Sequence, residues 1–177
     1  MLKINDLEFK TSVNEMNVWE FEQISFIFSD QTNDNFIDKY LSILKILGAT
    51  EEFLDELTED DLFKFVKALN VDTPVKKKKI KSFKIGDRTY VSHTVKEFKL
   101  TARQLGLIEK VTKNGINTFG KMLGVIFLEV GELHGRSIDI KHIEEKAELF
   151  KQLNAGKYLP YVVYITDKIT KKMNKIW

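Results

Sequence analysis

The stretch nearest to chemistry is Gly115-Ile116-Asn117-Thr118-Phe119-Gly120-Lys121-Met122. It satisfies the G-x-x-x-x-G-K spacing with which backbone N–H groups and a lysine cradle phosphates. Val125-Ile126-Phe127-Leu128-Glu129 follows it and imitates an apolar strand ending in an acid. The set lacks what phosphate chemistry requires. Met122 stands where a Ser or Thr hydroxyl must hold Mg²⁺, the residues before Gly115 read as a helix, and the acid-ended run follows too closely. Gly120 and Gly124 read instead as positions that let helices pack closely.

The three histidines, His93, His134 and His142, contain no pair at the i, i+4 spacing of a helical metal site. Each reads as a surface histidine rather than a base or ligand. The acid pairs Asp60-Asp61 and Glu144-Glu145 are expected in helix first turns, where the helix dipole accounts for them. There is no Cys, which removes thiol nucleophiles, thiolate ligands and disulfides and suits a reducing compartment. No nucleophile and base stand at a supporting spacing. The expectation is a non-enzymatic protein with no catalytic residue, metal or cofactor. Lys76, Lys77, Lys78 and Lys79, with Lys168, Lys171, Lys172 and Lys175 near the end, are dense enough to neutralise phosphates without reading sequence. They are candidate contacts for a partner or for packaged DNA. No nucleic-acid-recognition motif accompanies them.

Two hairpin-like segments organise the chain. Phe83-Lys84-Ile85-Gly86-Asp87-Arg88-Thr89-Tyr90 repeats Leu2-Lys3-Ile4-Asn5-Asp6-Leu7-Glu8-Phe9, each with a tight turn at Asn-Asp or Gly-Asp. Asn17-Val18-Trp19-Glu20 and Thr101-Ala102-Arg103-Gln104 both fit capping boxes. Behind the first box, Val18, Phe21, Ile24, Ile27 and Phe28 would face the core of a helix. A second helix is marked by Phe36, Tyr40, Ile43, Leu44 and Leu47, with Gly48 as its left-handed cap. Thr50 caps a short turn, and Thr58 opens a helix burying Leu62, Phe63, Phe65, Val66 and Leu69. In the second half, Phe119, Leu123, Ile126, Phe127, Val130 and Gly131 answer Phe36 to Gly48, predicting a helix there. Val66-Lys67-Ala68-Leu69-Asn70 is answered by Phe150-Lys151-Gln152-Leu153-Asn154.

These matches predict a mainly helical α+β fold: a tandem duplication of a β-hairpin plus about three helices, with a C-terminal helix. The expected units are residues 1–74, a basic linker at 75–79, residues 80–156, and an amphipathic basic helix in 157–177. Pro160 suits the first turn of that last helix, which is expected from about Tyr161. It should pack along the seam between the units or serve as an arm, and Trp177 favours a docked end. The hairpins are expected either separate or joined in one small sheet.

A composition 43% hydrophobic with 13 Phe is enough to build a core. No apolar run approaches the roughly 20 residues of a membrane span, and no signal-peptide pattern opens the chain, so a protein made in a cytoplasm is expected. The net charge of +2 hides a polarity. Residues 1–72 carry 6 Lys against 16 acids, or −10; residues 73–177 carry 22 Lys plus Arg against 10 acids, or +12. Such polarity favours head-to-tail contacts between copies, or one acidic and one basic partner.

The N-terminal hairpin, the Thr58-Glu59-Asp60-Asp61-Leu62 helix start, and Ala147-Glu148-Leu149-Phe150-Lys151-Gln152-Leu153 running into Leu159-Pro160-Tyr161-Val162-Val163 resemble small structural and assembly proteins of tailed bacteriophages. These include the crAss-like group and the tail-assembly-chaperone type. The resemblance touches both halves. It implies a virion protein, oligomeric within an assembly, that docks on portal, tail or capsid components, with no membrane partner. The alternatives are an assembly chaperone absent from the mature particle and a non-specific electrostatic nucleic-acid binder.

Overall fold

The computed structural model describes residues 1–30, 32, 35–72, 80–92, 102–113, 118–132 and 140–173. Strands β1 (Leu2–Ile4) and β2 (Leu7–Phe9) pair antiparallel with Leu2 opposite Phe9 and Ile4 opposite Leu7. Strands β3 (Ser82–Ile85) and β4 (Arg88–Ser92) repeat that register, Phe83 opposite Tyr90 and Ile85 opposite Arg88. The first turn residue has positive φ in both, 52° at Asn5 and 55° at Gly86, as the primed turns of two-residue hairpins require. The hairpins lie in separate sheets. A lone hairpin is marginal in water; here Ile4 and Phe9 are buried in the same core as Leu62 and Phe65, and the Phe9 ring lies 5.2 Å from Phe53.

In the first half the caps expected at Asn17, Thr50 and Thr58 are in place, and Asn35 adds one that was not expected. Helix α1 (Val18–Ser29) starts with a reciprocal capping box, the Asn17 side chain accepting from the Glu20 N–H and Glu20 accepting from the Asn17 N–H, both at 2.8 Å. Lys10 donates to the same Glu20 carboxylate at 2.7 Å. Helices α2 (Phe36–Ile46), α3 (Glu51–Asp55) and α4 (Glu59–Ala68) are capped by Asn35, Thr50 and Thr58. One apolar residue in each of α1, α2 and α4 was expected inward but lies outward: Phe28, Phe36 and Phe63 are exposed. Phe63 and Phe28 each follow a core-side neighbour, Leu62 or Ile27, by one position, about 100° around the helix, which carries them to the edge of the core-facing stripe.

In the second half α5 (Ala102–Lys113) begins and ends 84 residues after α1, as expected, although its capping residue Thr101 lies outside the described residues. Helix α6 (Thr118–Ile126) corrects the expectation of a helix through to Gly131. It stops at Ile126, and β5 (Phe127–Glu129) pairs antiparallel with β4. The reason is tertiary. The open edge of β4 receives a partner, and Phe127 and Leu128 on opposite faces of that strand are both fully buried. Gly131 nevertheless keeps the left-handed conformation of Gly48, φ 100° against 103°. Helix α7 (Ile140–Phe150) packs closely on α6, where a Cβ at Gly120 or Gly124 would lie 3.2 Å from the Ala147 carbonyl or 3.1 Å from that of Ile143. Glu144 and Glu145 fall in its second turn, not its first, because the helix opens at Ile140.

Helix α8 spans Ala155–Met173 and so starts before the expected Tyr161, with Pro160 inside it. Gly156, expected to end the second unit, belongs to its first turn. Its opening N–H groups find partners early: Ala155 donates to the Met16 carbonyl (2.8 Å), Gly156 to Val13 (3.0 Å), and Lys157 to the Asn154 side chain (2.9 Å). Of the two expected placements, the seam is where α8 lies through Ile165. Ala155 and Leu159 are buried in the core of the first half, and Tyr158, Tyr161, Val162 and Ile165 in that of the second.

Candidate functional site

The most prominent buried polar cluster joins the end of β5 to α7. Lys146, almost wholly buried, donates to Glu132 Oε2 at 2.8 Å and to the Phe127 carbonyl at 3.4 Å. Glu132 Oε2 also accepts from the Glu129 N–H at 2.7 Å, while Oε1 meets His142 Nε2. Burial raises the Glu132 carboxyl, but the hydrogen bonds from Lys146 and His142 outweigh it and leave the group below the ordinary glutamate range. Glu145 stands 4.0 Å from His142 Nδ1. A general base needs a lone pair directed at substrate; here both Glu132 oxygens are spent on neighbours, and the cluster works as a clasp. His142, expected at the surface, is half-buried within it; His93 and His134 lie outside the described residues. Only the i, i+4 placement of His142 and Lys146 could have signalled this site from sequence.

A second polar tie links the halves. Glu22 of α1, buried, accepts from the Thr118 and Phe119 N–H groups at the start of α6. Burial raises its carboxyl above the ordinary range, and these donors with the charges of Lys121 and Lys151 only partly offset that. The phosphate-loop imitation therefore has its described part, Thr118 to Met122, in a helix whose N-terminus already holds a carboxylate; Gly115 to Asn117 lie outside the described residues. Lys121 lies 3.7 Å from Glu144. Among the described residues no three His, Cys, Asp or Glu side chains converge as a metal site.

An accessible groove of about 440 Å³ lies between α2 and the α3–α4 pair. Phe36, Ile37, Leu41, Leu57 and Phe63 contribute apolar walls, and Glu59 is its charged lining residue. Ile37 is 53% exposed and Phe36 48%, so this apolar surface faces water. From Phe36 through Phe63 the chain carries eight carboxylates against two lysines. The candidate lysines are not gathered there. Lys168 and Lys171 are exposed on α8, Lys172 lies on the same helix, and Lys76, Lys77, Lys78, Lys79, Lys175 and Trp177 lie outside the described residues.

No protein-family model, no curated protein and no solved structure matches this chain. Among the described residues no helix is long and apolar enough to cross a membrane.

Proposed function

We propose that this chain is a non-enzymatic structural or internal protein of a tailed-phage virion, acting by docking on other proteins. The observation that carries the docking reading is the exposed apolar groove of α2, α3 and α4. A free protein gains nothing by keeping Phe36, Ile37 and Phe63 together in water, and apolar surface rimmed by charge is the usual form of a protein contact. The virion assignment rests on the resemblance to phage assembly proteins. Mass spectrometry of purified particles tests it. The chain should be recovered in mature virions, and Ile37→Asp should lower its recovery without changing its melting temperature. Presence in infected cells but absence from particles would replace this reading with that of an assembly chaperone.

A further inference from the structure

We infer that the groove between α2 and α3–α4 receives the basic end of α8 from a second copy of this chain, joining copies head to tail. This rests on the reading of the groove as a docking surface and names its occupant. The groove offers apolar walls, and its one charged lining residue is an acid. Glu59 lines it, Asp60 beside it is exposed, and the nearby Lys45 and Lys64 are already paired with Glu51 and Asp61, each at 2.8 Å. Its complement would be a basic helix with an apolar stripe, the helix-in-groove mode of recognition.

The chain carries such a helix. Ile165 is buried in the core, Thr166, Asp167, Lys168 and Lys171 beyond it are exposed, and the helix continues to Met173, eight residues or about 12 Å further. Over that length Lys168 and Lys171 are exposed, Lys172 adds a third cation, and Asp167 is the one acid. Ile169 and Met173 stand four apart in sequence, positions that share one side of a helix. Two turns of helix bury less than the roughly 1,600 Å² of a standard interface, so the contact should be weak and concentration-dependent. Because groove and helix are different surfaces of one chain, the contact is heterologous and generates rings or filaments rather than a closed pair.

Sedimentation velocity of the full chain at several concentrations and salt levels tests this. Average mass should rise with concentration at low salt and return toward the monomer as salt screens the charges. K168E/K171E and Ile37→Asp should each weaken association roughly tenfold. Mixing the K168E/K171E chain with an E59K/D60K chain should restore it, since every basic helix then again meets an acidic groove, or the reverse. All five positions are exposed, and an unchanged melting temperature shows that the fold persists. A monomer under every condition, a monomer whose tail cross-links to its own groove, or association indifferent to these substitutions would overturn the inference. If the chain is monomeric while Ile37→Asp still lowers its recovery in particles, the docking reading stands and head-to-tail joining alone fails.

Discussion

Tyr90 carries a fully buried hydroxyl with no hydrogen-bond partner among the described residues, while its ring stacks on Phe83 at 5.4 Å and meets Phe150 edge-on at 4.9 Å. The equivalent position of the first hairpin holds Phe9. Tyr90→Phe keeps the ring and removes a stranded polar group, so it should raise stability by about 1 kcal/mol in a urea titration. Glu132 presents the opposite case, a half-buried acid whose two oxygens are both engaged. Its folded carboxyl lies below the ordinary range, so its contribution is present above the unfolded value, about pH 4–5, and is lost as pH falls through the lower folded value. Glu132→Gln should therefore cost stability at neutral pH, and the gap from the parent should shrink on acidification, as urea titrations across pH would read. Neither partner is visible as such in the sequence. Residue type gives Lys146 a place on a helix, but its burial depends on Glu132, which arrives from another element.

At the scale of elements, what was legible was local. The caps at Asn17, Thr50 and Thr58 act within three residues, and the two-residue turns depend on Asn5 and Gly86 themselves. What was not legible depended on distant partners. Phe127–Glu129 becomes strand because β4 has an open edge, and α8 starts at Ala155 because the Val13–Met16 loop accepts its first N–H groups. Likewise the groove was hidden in helices that held more apolar residues than one buried face needs. The α8 start has a sharp test. A Cβ at Gly156 would sit 2.7 Å from Asn14 Cα, whereas one at Gly106 in α5 meets nothing within 4 Å. Gly156→Ala should destabilise by about 2 kcal/mol despite alanine's better helix propensity. Gly106→Ala should stabilise by about 0.5–1 kcal/mol, the two being compared by thermal or urea unfolding.

For the whole molecule, the hairpin register, the length of α1 and α5, and the left-handed glycine at Gly48 and Gly131 recur between the two halves. The halves differ in a third strand in the second, and an exposed apolar groove lined in part by Glu59 in the first. The halves also share parts. Val18 of α1 is buried in the second core, Phe119 packs against both, and Phe21 lies 6.0 Å from Phe119. We expect unfolding as one cooperative transition, with tryptophan fluorescence and far-UV circular dichroism giving coincident curves.

The contact between Val13–Met16 and the start of α8 also has a bearing on synthesis. Ala155 and Leu159 are wholly excluded from water within the core of the first half, although they are made roughly 140 positions after the loop they meet. A ribosome therefore releases the first half with an open apolar slot, which only the last helix can fill. At about 5–20 residues per second that slot stays uncovered for several seconds of translation. A chain ending at Asn154 keeps it open permanently. Such a truncated chain should be digested by protease far faster than the full chain and should bind hydrophobic dyes, while the parent does neither.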